Sequence, residues 1–378
     1  MSSLTLQADP ENGFVQVVGV GGIGTGIILA LEGDHTLGRN ESRLGEMLDA
    51  RDYCKLHIVE HYIAVLMGAT NGLFRVFAIG NVGGDPAGDA LLQEMADVGI
   101  DTSYVCVEPD RSTLYSICFQ YPDRSGGNIT TSNSAARELN SDQLSACRNT
   151  LAAAGGSGVA LCLPEVPMEA RQEFLQIATE CGSYRVASFL AGEMELIRKL
   201  GLLSQVDLLA LNHEEAAALA GLYFPATDRS WLLDGCSQAG RAANPAMKMI
   251  VSAGADGVYV FEEDTWSHHA AAPMDAISTA GAGDALLAGV IAGLSAGMPL
   301  TNIRSTSNRS NCNAGAAIDL GLVLACFSLT SPHTIHPEVE MESLLSFAKE
   351  KGLPVSIDLH KKNKGNLTVS VSAPLRGK

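Results

Sequence analysis

From residue 158 onward, extended and helical patterns alternate along the chain, and this alternation constrains the fold more than any other feature. Residues 159–163 (VALCL) read as a strand, 168–180 have helical spacing, and 184–189 favour β structure. Residues 206–211 (VDLLAL) lead into a helix at 214–219, and 247–252 and 258–261 are further strands. Such alternation predicts a mainly parallel sheet with helices on both faces. Ligands then bind beyond the carboxyl ends of the strands, so the informative loops are those that follow strands. The first third adds strands at 14–18 and 74–79, each running into a glycine-rich loop. It also adds a helix at 89–98 that stops at Gly99, and a β-favouring stretch at 113–121 closed by Pro122-Asp123.

The chain has material for a large core: 46% of its 378 residues are hydrophobic and only 18% are charged, which excludes a disordered protein. That length suits one large α/β domain or two smaller ones. A net charge of −17 argues against general binding to nucleic acid or to anionic membranes. It leaves room for a local anion site, because backbone N–H groups at helix N-termini bind phosphate without net basic charge. The nine cysteines are scattered with no CxxC, a pattern expected of reduced thiols in the cytoplasm. The opening MSSLTLQADPENG lacks the basic and apolar regions of a signal peptide. Residues 285–303 carry no charge, which raises the question of a membrane span. Gly289, Gly293, Gly297 and Pro299 interrupt the stretch, so a buried helix is expected. The one basic run, residues 360–364 (HKKNK), reads as a solvated turn or extension.

Three loops carry candidate chemistry. In Ser278-Thr279-Ala280-Gly281-Ala282-Gly283-Asp284 the small residues let backbone approach a ligand, and an apolar helix follows. Gly281, Ala282 and Gly283 would present N–H groups at that helix N-terminus, with the Asp284 carboxylate beside them. Asp284 is then either a general base for an attacking hydroxyl or a plain helix cap. Asn212 and Glu215 follow the strand 206–211 and share one helix face. They fit a water-mediated Mg²⁺ site and a capping box equally well. Ser252 to Gly257 is either a phosphate-contacting turn, with Ser252, Gly254 and Gly257 in contact, or a simple hairpin.

In this order the three loops resemble the ribokinase-like, PfkB-type carbohydrate kinases. Two further segments add to the resemblance: Gly80-Asn81-Val82-Gly83-Gly84-Asp85-Pro86-Ala87-Gly88, and Cys312-Asn313-Ala314-Gly315. The resemblance implies a three-layer α/β/α sandwich with a mainly parallel central sheet and a small β lid. It implies ATP and Mg²⁺, and a small sugar-like acceptor. Asp284 would be catalytic beside the anion hole of Gly281, Ala282 and Gly283. Asn212 and Glu215 would serve magnesium and phosphate, and Glu215 would reach the metal through water. Ser252, Gly254, Gly257, Thr279 and Asn313 would border the nucleotide. Residues 1–332 would form the kinase domain, with lid strands from the first third and a lid-mediated homodimer. Residues 333–378 would be an extension.

The departures concern the acceptor side. Where the family usually carries an Asp after the first strand, this chain has Gly21-Gly22-Ile23-Gly24. The family's G-G-x-x-x-N segment is replaced by Leu56-His57-Ile58-Val59-Glu60-His61. The long connection between them reads either as a solvated helix or as a pocket rebuilt for an anion. In the second case Arg39, Arg43, His57 and His61 would bind a carboxylate or phosphate on the acceptor. Two other activities suit the sequence in part. Gly19 to Gly24 formally matches the G-x-G-x-x-G dinucleotide fingerprint, but no helix, second strand and acidic residue follow at the required spacing. A nucleoside kinase, or a nucleotide-binding regulatory protein without turnover, would share the fold; the carboxylate at Asp284 argues against the silent version.

Overall fold

The computed structural model describes residues 4–123, 125–223, 229–302 and 315–353, and the backbone of 356–361 and 367–372. In chain order the first strands are β1 (Gln16–Val20), β2 (Gly24–Leu31), β3 (Gly45–Met47), β4 (Asp52–Tyr53) and β5 (Arg75–Gly83). Next come β6 (Ile100–Glu108), β7 (Leu114–Gln120), β8 (Gly126–Thr130), β9 (Gly158–Cys162), β10 (Tyr184–Ser188) and β11 (Leu208–Asn212). The series ends with β12 (Lys248–Ser252), β13 (Val258–Glu262), β14 (Thr265–His269) and the hairpin β15 (Ser356–Lys361) and β16 (Leu367–Ser372).

The large sheet runs β14-β13-β12-β11-β10-β9-β1-β5-β6. From β12 to β6 neighbouring strands are parallel; β13 and β14 fold back antiparallel at one edge. The chain adds β5 and β6 on one side of β1 and β9 to β12 on the other. The carboxyl ends around this reversal are where a doubly wound sheet opens a crevice. Strand periodicity of two builds a core on each face. Val17 of β1 joins the layer formed by the helices Lys55–Met67, Ala282–Ser295 and Ala317–Ser328. Val18 and Val20 join the layer formed by Met168–Glu180 and His213–Ala220. The helix Ala282–Ser295 is apolar all round because it is almost wholly buried. Among the described residues no helix is long and apolar enough to cross a membrane.

A second sheet, β3-β2-β7-β8 with β4 paired to β2, forms the small lid. It arises directly from β1, since only Gly21 to Ile23 separate β1 from β2. The glycine run is followed by a strand, in keeping with the rejection of a dinucleotide fingerprint. Its glycines are required by packing. A Cβ at Gly22 would lie 2.5 Å from Glu165 Cβ, and one at Gly19 would overlap Glu60 of the Lys55–Met67 helix. One expectation is corrected: residues 32–54 form no helix, and two short lid strands, β3 and β4, punctuate an open connection. Its polar periodicity reflects exposure to solvent.

The segment after residue 332 packs with the body. Thr334 donates its N–H to Arg51 O, and Tyr53 donates its N–H to Thr334 Oγ1. Ile335, Val339, Met341, Leu344 and Phe347 are buried in the first core layer. The separate β15–β16 hairpin takes in the start of the basic run; residues 362–366 lie outside the described residues.

Candidate active site

Two adjoining cavities, of about 790 Å³ and 310 Å³, open at the carboxyl ends of the strands. Lys55, Thr279 and Asp284 line both. The larger also meets Asn212, Glu215, Ser252, Gly254, Gly257 and Gly283. The smaller lies under the lid and meets Asp52, Ser116, Cys118, Glu165 and Gly281. The three loops of the second half of the chain therefore converge with Asp52, Lys55 and Glu165 from earlier in the sequence, at the strand ends where a parallel sheet opens its crevice.

Asp284 is the third residue of its helix, whose cap position is Gly281. Gly281 is left-handed (φ 76°), and a Cβ there would sit 2.7 Å from Thr334 O. No side chain caps this helix, so Asp284 is not its cap. The first-turn N–H groups face the cleft end of the helix, where partial positive charge gathers. Burial pushes the Asp284 carboxyl above its ordinary value, and Lys55 pulls it back.

Lys55 opens its own helix, a place where the macrodipole disfavours a cation. Carboxylates offset that cost: Nζ lies 3.8 Å from Glu215 Oε1 and 3.9 Å from Asp284 Oδ1. Burial tends to lower the Lys55 pKa, but Asp284, Glu215 and Glu165 raise it by more. The ammonium is therefore held charged between the two cavities.

Asn212 and Glu215 form a reciprocal capping box. Asn212 Oδ1 accepts from Glu215 N at 2.8 Å, and Glu215 Oε2 accepts from Asn212 N at 2.8 Å. The other carboxylate oxygen faces Lys55 across the cleft. The pair thus serves as a cap and as cleft lining together. Burial raises the Glu215 pKa. Ser252 to Gly257 also takes both readings, being an antiparallel hairpin between β12 and β13 whose residues line the larger cavity.

On the acceptor side the structure does not assemble the four basic residues. Arg39 is exposed on the lid connection. Arg43 is spent locally, its Nε donating to Glu41 at 2.6 Å and its Nη1 to His35 O at 2.8 Å. His57 is buried in its helix, with its ring 4.7 Å from Tyr53 and 5.8 Å from His61. Burial pushes the His57 pKa well below the usual imidazole value and the His61 pKa down to about 4, so neither ring is a cation at neutral pH. None of the four lines either cavity. Asn313 lies outside the described residues.

Three cavity residues went unassigned in the sequence reading. Glu165 follows β9, so the rule that chemistry follows strands would have found it. It has φ 75°, a left-handed conformation that costs a non-glycine residue about 1–3 kcal/mol. Burial lifts its carboxyl to about 7. Asp52 and Lys55 stood within a charged connection with nothing in the residue order to distinguish them.

A family model described as pfkB family carbohydrate kinase matches residues 62–310. No curated protein matches the chain significantly. Among solved structures, ribokinase from Giardia lamblia is 14% identical with a TM-score of 0.69, covering 88% of this chain and 99% of that one. Ribokinase from Cryptococcus neoformans, in complex with ADP, is 15% identical with a TM-score of 0.67, covering 88% and 99%. Ribokinase from Thermotoga maritima is 19% identical with a TM-score of 0.65, covering 89% and 100%. These likenesses show a ribokinase-like fold.

Proposed function

Because the chain belongs to the pfkB family of carbohydrate kinases, we propose that it moves the γ-phosphoryl group of ATP to a hydroxyl of a small sugar or sugar-like acceptor. Asp284 is the general base. The observation that carries this reading is its position. Asp284 stands on the wall common to both cavities, beside an uncapped helix N-terminus and 3.9 Å from the Lys55 ammonium.

The larger cavity receives ATP. Ile250, Leu286, Leu322 and Cys326 offer apolar surface to the base, and Ser252, Gly254, Gly257 and Thr279 offer polar contacts. The N–H groups of Gly281, Ala282 and Gly283 meet the transferring phosphoryl group, and Lys55 adds a charge that offsets its negative oxygens. Asp284 takes the proton of the attacking hydroxyl, and its raised pKa strengthens it as a base. A hydrated Mg²⁺ fits beside Glu215, which has one oxygen engaged by Asn212 and the other facing the cleft. Such an ion neutralises phosphate charge. The lid excludes water from the acceptor, which suppresses wasteful hydrolysis.

The test is ADP formation across a panel of acceptors, by the parent protein and Asp284→Asn. The variant should lose about 10²–10⁴ in kcat with the KM for ATP little changed. Near-normal turnover by the variant would remove Asp284 from the mechanism. Tight ATP binding by the parent without turnover of any acceptor would favour a regulatory protein instead.

A further inference from the structure

Resting on the proposed kinase function, and taking the smaller cavity under the lid as the place left for the acceptor, we infer that Asp52, carried on a lid strand, is the carboxylate that binds and orients the acceptor's hydroxyl groups. A carboxylate accepts hydrogen bonds from one or two hydroxyls and is well suited to a polyol.

The end of β1 has no room for such a group. At Gly22 a Cβ would meet Glu165 Cβ at 2.5 Å and Glu165 Oε2 at 2.9 Å. At Gly21 it would meet Leu56 Cβ at 3.0 Å and Leu163 Cβ at 3.1 Å. The carboxylates that line this cavity come from other elements. Asp52 comes from β4, where it pairs with Gly26 of β2. A Cβ at residue 26 would lie 3.0 Å from Asp52 Oδ2, so the absence of a side chain makes space for the carboxylate.

Asp52 is held in place from the lid side. Ser116 Oγ donates to Oδ2, and Cys118 Sγ donates to the same oxygen at 3.2 Å. The residue is only 6% exposed and lines the cavity beside Glu165 and Asp284. Its neighbours tie β4 to the body through Thr334, so the carboxylate stands at the junction of lid and sandwich.

A selectivity consequence follows. The charged side chains lining this cavity among the described residues are Asp52, Lys55, Glu165 and Asp284. Lys55 already faces Asp284 and Glu215. A phosphate or carboxylate on the acceptor would meet carboxylates with no guanidinium to match it.

The experiment uses the full chain with MgATP and compares ribose and fructose with fructose 6-phosphate and gluconate. An uncharged sugar should be preferred. Asp52→Asn should raise the KM for that sugar by about ten- to hundredfold while the KM for ATP stays unchanged. Ser116→Ala, which loosens the carboxylate without removing it, should raise it in the same direction by less. It carries the test if thermal melting shows that Asp52→Asn does not fold. Preference for fructose 6-phosphate or gluconate, or an unchanged sugar KM in the folded variants, overturns the inference and leaves the kinase reading standing. Absence of turnover by the parent with every acceptor defeats the kinase reading, and this inference falls with it.

Discussion

Glu165 shows how one side chain is shaped by forces that residue order does not display. Its backbone is left-handed, its side chain packs over Gly22 where no Cβ would fit, and burial lifts its pKa to about 7 from 4.5 although Lys55 opposes the shift. The sign of the linkage follows. The folded protein holds this proton between about pH 4.5 and 7 more firmly than the unfolded chain does. The associated stability is fully present below that window and is lost as pH rises through it. Glu165→Gln cannot ionise, so its melting temperature should gain on the parent between pH 5 and pH 8, by roughly 2–4 °C. A difference that is the same at both pH values would mean that Glu165 ionises as an ordinary surface acid. Asp284 was legible from its loop of small residues. Asp52, Lys55 and Glu165 were not singled out, because their importance comes from neighbours more than a hundred positions away as well as from their own surroundings.

The helix His213–Ala220 has to satisfy two demands at its first turn. Its backbone donors need a cap, and its position after β11 puts it in the cleft. Asn212 and Glu215 meet both, which is why the sequence allowed two explanations and the structure keeps both. Glu215→Gln should preserve the capping box, since a glutamine oxygen accepts the same N–H. We expect the melting temperature to change little while the Mg²⁺ concentration for half-maximal rate rises several-fold. Unchanged magnesium dependence with a lower melting temperature would leave the cap as the pair's whole role. The helix Lys55–Met67 illustrates the opposite case. Its sequence looks apolar and ordinary, yet its first residue is the cation between the cavities.

The whole molecule is a sandwich with a lid whose inner face closes the smaller cavity and whose outer face is apolar. Along β7 the residues alternate: Leu114 and Ser116 are buried while Tyr115 and Ile117 are 37% and 38% exposed. Ile129 of β8, directly opposite Ile117, is 63% exposed. We propose that this outer face joins two copies into a homodimer. Ultracentrifugation should find a dimer for the parent and a monomer for Ile129→Asp, with the secondary structure retained. A parent that stays monomeric at its highest soluble concentration would remove the dimer and leave the lid untouched.

By itself the sequence determined the mainly parallel sheet, several of its helices and the small-residue loops that line the cleft. Those features are local: strand and helix periodicities, turn residues and small-residue runs are written in neighbouring positions. Tertiary structure decided the acceptor side. The glycine run after β1 is set by what crosses it, the charged connection became lid strands, and His57 was buried with His61 beside it, both as neutral rings. Asp52, Lys55, Glu165 and Asp284 meet around one cavity only because parallel crossovers bring Glu165 and Asp284 to the same edge of the sheet while the antiparallel lid strand β4 and the helix start just after it carry Asp52 and Lys55 there, a contact with no periodicity along the chain to announce it.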